Sequence, residues 1–281
     1  MAALKKGNLF PAQVASEVFN KIKGHSTVAK LSGQIPVAFN GNEVFTFSMD
    51  GDIYIVAEGG QKPDGGFSLE PVSIQPIKVV YQGRVSDEFL YASDEARLQI
   101  MQAWIEGASR KFAVGLDKMA MHGVNPATGQ TSALIKSYLD QAQKITATSD
   151  IEADMEDAIA AIGDAELTGY AFSKAGAAAL GKIKANGVPQ YPEFRLGGKP
   201  ESFMGVPTDV NSTVAADSVI LGDFANAFKW GYSKAIEFET IEYGDPDGQG
   251  DLKRTNEVCL RAEAYIGFAV LDPSAFARVS A

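Results

Sequence analysis

Apolar residues recur in steps of three and four along one stretch of the chain: Leu98, Met101, Ile105, Ala108, Phe112, Gly115 and Met119. That spacing puts them on a single stripe of an α-helix. Ser93 is placed to cap its start by accepting from an orphan backbone N–H. Asp94 and Glu95 follow where the helix dipole favours carboxylates. Glu106 and Arg110 stand four apart in the favourable order for an exposed ion pair. Gly123 supplies a left-handed closing residue, and Asn125-Pro126 blocks continuation. The pattern predicts one helix of roughly 40 Å at ~1.5 Å per residue. Gly107 and Gly115 mark positions where another backbone is expected to pack closely.

Before this helix the period changes to two. Glu43 to Met49 alternates, as does Ser73 to Tyr81, and between them lies a glycine-rich tip, Ala57-Glu-Gly-Gly-Gln-Lys-Pro-Asp-Gly-Gly-Phe67. The pattern predicts a long two-stranded arm with its turn near Lys62. An isolated hairpin is marginal in water, so the arm is expected to find its partner on another subunit. A short helix is expected over Gln13 to Lys23. After the long helix come predicted helices at Ile151 to Ile162 and Ser173 to Asn186. Strands are expected at Tyr170 to Phe172, Phe203 to Pro207, Val219 to Leu221, Ala227 to Tyr232 and Ile236 to Glu242. A long last strand runs from Asn256 to Leu271, kinked at Gly267. Helices and strands that do not alternate regularly predict an α+β fold and exclude a doubly wound parallel sheet.

Composition narrows the class. The chain has 281 residues, 46% of them hydrophobic and 21% charged, enough for a sizeable core in one large domain or two lobes. No apolar run approaches the ~20 residues that cross a bilayer, and the first residues lack a signal-peptide pattern. A lone cysteine, Cys259, forms no internal disulfide and predicts a reducing compartment and a packing role. The net charge of −10, with basic residues dispersed along the chain, excludes tight binding to a phosphate backbone.

The chain also lacks reactive constellations. Gly-x-Ser-x-Gly, His-Glu-x-x-His and Cys-x-x-Cys are absent. His25 and His122 read as a surface and a helix-end residue. Gly176-Ala-Ala-Ala-Leu-Gly181-Lys182 approaches a phosphate loop but continues with Ile183, which has no hydroxyl for Mg²⁺, and its alanines favour helix. Asp245-Pro-Asp247-Gly-Gln-Gly-Asp251 approaches a calcium loop, but its glycine is misplaced and Asn256 stands where a bidentate Glu is needed. It reads as a solvated hairpin turn. No enzyme activity, cofactor or metal is expected.

The order of segments carries a further signal: Ala57-Glu-Gly-Gly-Gln-Lys-Pro and Phe67-Ser in the arm, Ser86-Asp-Glu-Phe-Leu, Met121-His-Gly closing the long helix, Thr128-Gly, Met204-Gly-Val-Pro, Leu221-Gly-Asp-Phe, and the ending Asn256 to Phe276. In this order, over nearly the whole length, the chain resembles a tailed-bacteriophage major capsid protein of the Hong Kong 97 fold. The resemblance implies an N-arm (1–45), an extended β-hairpin E-loop (46–85), a peripheral domain with a long spine helix (86–148 and 236–281) and an axial domain (149–235). It implies hexamers and pentamers closing an icosahedral shell around double-stranded DNA, without sequence-specific binding. Assembly in the host bacterial cytoplasm, and partners such as a portal, a scaffold or protease and decoration proteins, follow from the same likeness. The alternative is an encapsulin-type nanocompartment enclosing a cargo enzyme. Candidate contacts between copies are Glu58, Lys62, Arg84, Glu88, Arg110, Asn256 and Glu263.

Some members of this family join an E-loop lysine to a neighbour's asparagine with a glutamate as base. The matching asparagine and glutamate are Asn256 and Glu263. The lysine should follow Phe67-Ser68, where Leu69 stands and offers no amine. Noncovalent shells are therefore expected, with Asn256 and Glu263 a polar pair serving the sheet or an interface.

Overall fold

The computed structural model describes residues 24–49, 52–88, 94–214 and 217–280. The expected helix at Gln13 to Lys23 and the cap at Ser93 lie outside them. A short helix α1 (Thr27–Leu31) leads into β1 (Asn42–Met49) and β2 (Phe67–Ile74), which pair antiparallel from Asn42↔Ile74 to Met49↔Phe67. The expected single strand Ser73 to Tyr81 is broken at Gln75-Pro76, because proline cannot donate to a ladder. The next strand, β3 (Ile77–Ser86), joins a different sheet.

The long helix is α2 (Asp94–His122), about 44 Å long at ~1.5 Å per residue. Met101, Ile105, Ala108, Phe112 and Met119 are buried as the stripe predicts. Leu98 is not: it is 58% exposed, because packing of the helix on the sheet starts one turn later, with Met101 against Val258 and Leu260. Gly107 faces open space and Gly115 has only an ordinary contact with Pro126, so neither marks a close backbone approach. Gly123 does close the helix, at φ +64°, with the Tyr138 ring where a Cβ would stand.

Beyond it come β4 (Gln143–Thr146), α3 (Ile151–Ala161), β5 (Gly169–Phe172) and α4 (Lys174–Leu180). The expected helix to Asn186 stops early, because Asn186 and Gly187, both at positive φ, turn the hairpin β6 (Lys184–Ala185) and β7 (Val188–Pro189), as Asn-Gly favours. Likewise the expected strand at Phe203 is a hairpin of β8 (Ser202–Phe203) and β9 (Val206–Val210), turned at Met204-Gly205. Then follow β10 (Asp217–Gly222), β11 (Phe228–Ile241), the turn α5 (Leu252–Thr255), β12 (Glu257–Val270) and β13 (Phe276–Ser280). The two strands expected at 227–232 and 236–242 are the single β11, with register shifts between Tyr232 and Glu237.

Two sheets organise two cores. The order β4-β13-β10-β5-β9-β8 makes a mixed six-stranded sheet, and β11-β12-β3 an antiparallel three-stranded one. The larger sheet is covered on both faces. Ala171, Ile220 and Phe276 join the core beneath α2, while Phe172, Val219, Leu221 and Val279 face the core of α3 and α4. Burial of both faces is why β10 reads as a continuous apolar run without alternation. On the smaller sheet, Gly231 and Gly267 stand opposite each other, and the chain at 35–37 crosses directly over them. A Cβ at Gly267 would meet Ile74 and Val37 at 3.0 Å. The strand runs unbroken through Gly267, whose role is this close approach and not a kink.

Candidate functional site

Three groups of residues project from, or lock, the elements just described. The first is the hairpin arm. Ile53 and Ile55 are 97% and 103% exposed, with Tyr54 and Val56 also exposed, and Phe67 and Leu69 lie open along β2. Glu58 and Lys62 are exposed in the same arm. Burying four such apolar side chains is worth several kcal/mol at about 25 cal/mol per Å², and this chain leaves them uncovered.

The second group is built around Arg84 on β3. Its Nε donates to both oxygens of Asp247, at 3.0 and 2.8 Å, and Nη1 donates to Glu257 at 3.1 Å. Nη2 reaches Asp245 Oδ1 at 3.2 Å, the Gly250 carbonyl at 2.8 Å and, closer still, Asp247 Oδ1. Nε and Nη2 are thus turned onto the acidic loop between β11 and α5, and Nη1 onto Glu257 at the start of β12. The turn expected to be solvated is folded around an arginine, which takes the place a cation would have. Asp247, bonded by Arg84, is held below the usual carboxylate range. Glu257 is lowered too, first by the Thr255 hydroxyl and then by Arg84. The same carboxylates raise Arg84 further above its ordinary value.

Asn256 lies beside this loop. It takes the left-handed conformation, φ +54°, that closes α5, and its carbonyl accepts from the Asp87 N–H at 2.8 Å. Glu263, seven residues on, bonds Lys78 of β3 at 2.8 Å. Seven residues of strand span roughly 23 Å, so Asn256 and Glu263 do not form a polar pair within the chain. Each has its own structural task. Glu88 is exposed, its N–H donating to Ser86 Oγ, and Arg110 is 60% exposed and paired with Glu106 at 3.0 Å. The structure therefore gathers Arg84 and Asn256 at one end of the sheet, and leaves Glu58 and Lys62 on the arm and Arg110 on the helix.

The third group was not foreseen. Asp117 is fully buried on α2 and accepts from Ser26 Oγ at 2.6 Å, the Thr27 and Val28 N–H groups at 3.0 and 3.1 Å, and Thr213 Oγ1 at 2.8 Å. Burial pushes its carboxyl up to about 6 against the pull of these donors. One turn away, His122 bonds Asp140 Oδ2 and the Thr213 carbonyl, both at 2.8 Å. His122 is thus a tie between three segments and more than a helix-end residue. The sequence signal is a carboxylate on the buried stripe, next to Leu116 and between the apolar positions Ala113 and Ala120.

No cluster of three or more His, Cys, Asp or Glu that could hold a metal occurs among the described residues, and no described helix is long and apolar enough to cross a membrane. Cys259 is buried in β12. The near phosphate loop at Gly176 is the helix α4, as its alanines predicted.

An α+β subunit with a spine helix, two sheets and a projecting hairpin defines a class: a structural, shell-building protein of Hong Kong 97-like fold. Comparisons with known proteins agree. A structure from Mycobacterium phage Ogopogo superposes with a TM-score of 0.78 at 27% identity, over 91% of this chain and 92% of that one. One from Gordonia phage Cozz gives 0.77 at 24% identity, over 91% and 86%. The capsid of a native GTA particle gives 0.62 at 14%, over 100% and 93%. No curated protein sequence matches the chain. The phage capsid family model matches residues 6–281, and the chain belongs to that family. It is a structural major capsid protein, a component of the virion capsid that assembles with its own copies. Nothing in the comparisons favours an encapsulin.

Proposed function

We propose that copies of this chain form hexamers and pentamers that close an icosahedral shell around double-stranded phage DNA, with no catalytic role. The observation that carries this reading is the hairpin arm, whose apolar residues Ile53 to Val56 lie uncovered in a chain of the phage capsid family. In this reading residues 1–45 are the N-arm. The E-loop (46–85) has β1 and β2 as its stem, with β3 its return into the peripheral sheet. The peripheral domain is 86–148 and 236–281, and the axial domain is 149–235. Glu58, Lys62, Arg84, Glu88, Arg110, Asn256 and Glu263 are the proposed contacts between copies. Arg84 and Asn256 act by fixing the acidic loop, Glu263 by holding β3, and Glu58, Lys62, Glu88 and Arg110 by direct contact. Assembly in the host cytoplasm, with a portal, a scaffold or protease and decoration proteins, belongs to the same proposal. Electron microscopy of the purified protein tests it: closed icosahedral particles are expected, and only monomers or open aggregates across assembly conditions would overturn it.

A further inference from the structure

We propose that the cavity beside α4 binds a small multivalent phosphate anion. The cavity, about 730 Å³, is bounded by α4, the β6–β7 hairpin and the turn Pro192–Gly197, with Phe194 as its buried floor. Lys174, Lys182, Lys184, Arg195 and Lys199 all line it, and no carboxylate does. One fifth of the 25 lysines and arginines of the chain thus face one cavity, in a protein whose 35 carboxylates outnumber its cations. The sequence presents these cations as dispersed. Folding brings them together.

Their grouping in one concavity sets them apart, and none of them is neutralised there. Lys30, Lys78, Arg84, Arg110, Lys234 and Arg278 each stand within ion-pair distance of a carboxylate. Among the described residues, none of the five cavity cations does. Like charges gathered around a concave surface repel one another and focus a positive potential that draws in a counter-ion. Helix electrostatics explain only part of the cluster. Lys182 and Lys184 follow the C-terminal end of α4, where cations are favourable, but Lys174 sits at its first position, where the dipole opposes a cation.

The lining also sets the chemistry of the ligand. Its polar side chains are donors only, four ammonium groups and one guanidinium, so the complement is an anion whose oxygens only accept. Several compact charges are needed to offset five cations, and a guanidinium fork suits a phosphoryl group in two-point contact. The volume falls in the range of small-ligand pockets. Duplex DNA, by contrast, is held by cations spread along an extended face.

Isothermal titration of the purified full-length protein with inorganic tripolyphosphate is the test, alongside thermal melts. Saturable binding of one tripolyphosphate per chain is expected, with a raised melting temperature and weakening as salt increases. Lys182→Ala with Arg195→Ala should weaken it by about tenfold or more, Lys182→Arg should retain it, and Lys111→Ala, away from the cavity, should leave it unchanged. Absence of saturable binding, or equal binding by the double variant with an unaltered circular dichroism spectrum, overturns the proposal. Tighter, cavity-dependent binding of a short DNA duplex than of tripolyphosphate also overturns it, because the site would then read a nucleic-acid backbone.

Discussion

Asp117 of the spine helix accepts a 2.6 Å hydrogen bond from Ser26, ninety-one residues earlier, and so fastens the start of the described chain to the centre of the molecule. The same carboxylate takes the Thr27 and Val28 N–H groups at the first turn of α1, and Thr213 from the loop before β10. One buried anion thereby joins three segments, which also pack together through Val28, Leu116 and Val214.

Asp117 should give this protein an unusual acid response. Its folded-state carboxyl is raised to about 6, above the ~3.9 of an unfolded aspartate. The folded state therefore binds the extra proton between those values. The contribution of this group to stability is fully present below about 4 and is lost as pH rises through about 6, on the order of 2–3 kcal/mol. Melting temperature measured against pH should show this slope in the wild type and a flatter one in Asp117→Asn. Asp117→Ala should melt lower throughout, since it leaves buried donors unsatisfied at about 1–3 kcal/mol each. Identical pH profiles for the wild type and Asp117→Asn would contradict the assignment.

The Arg84 loop responds with the opposite sign. Asp247 and Glu257 are held below the ordinary carboxylate range, so their contribution is present at neutral pH and lost as pH falls through those lowered values. Arg84→Ala should reduce that acid-side loss, leaving the part that Thr255 supplies to Glu257, and expose 245–251 to faster hydrogen exchange. Arg84→Lys should restore only part of the protection, because an ammonium cannot reproduce the fork that meets Asp247 and Glu257 together. Unchanged exchange in Arg84→Ala would show that the loop holds itself.

On the spine helix the two faces should separate cleanly. Phe112 is 6% exposed and Arg110 is 60% exposed. Phe112→Asp places an unpaired charge in the core and should cost several kcal/mol. Arg110→Ala should stay within about 0.5 kcal/mol, the scale of an exposed i,i+4 pair. Equal melting temperatures for the two variants would mean that the faces are misassigned.

Deleting residues 58–66 removes the arm's turn but stops short of the Met49↔Phe67 pair that ends the ladder. The shortened chain should remain folded and monodisperse, since both hydrophobic cores lie elsewhere. It should fail to form normal particles in sizing and electron microscopy. Wild-type-like particles would remove the arm from assembly.

Particles boiled in denaturant should run as one band near 29.9 kDa. Leu69 stands where the family resemblance would place a cross-linking lysine, and Glu263 is bonded to Lys78 at 2.8 Å. A ladder of multimers that vanishes in Lys62→Ala would refute this.

The sequence alone determined what depends on neighbouring residues. The 3.6-residue period from Met101 to Met119 specified the spine helix, Gly123 its stop, period-two alternation the first arm strand, and the order of short segments the family. Local rules also decide where periodicity misleads, as at Pro76, which breaks a strand, and Asn186-Gly187, which turns a hairpin. Only the tertiary structure decided which distant charges meet. Arg84 finds Asp247 across 163 residues and Asp117 finds Ser26 across 91, while Asn256 and Glu263, close in sequence, serve different partners. Periodicity reports which face of an element is buried. It carries no record of what lies opposite, because a charge pair is selected by three-dimensional distance and by the burial that removes competing water.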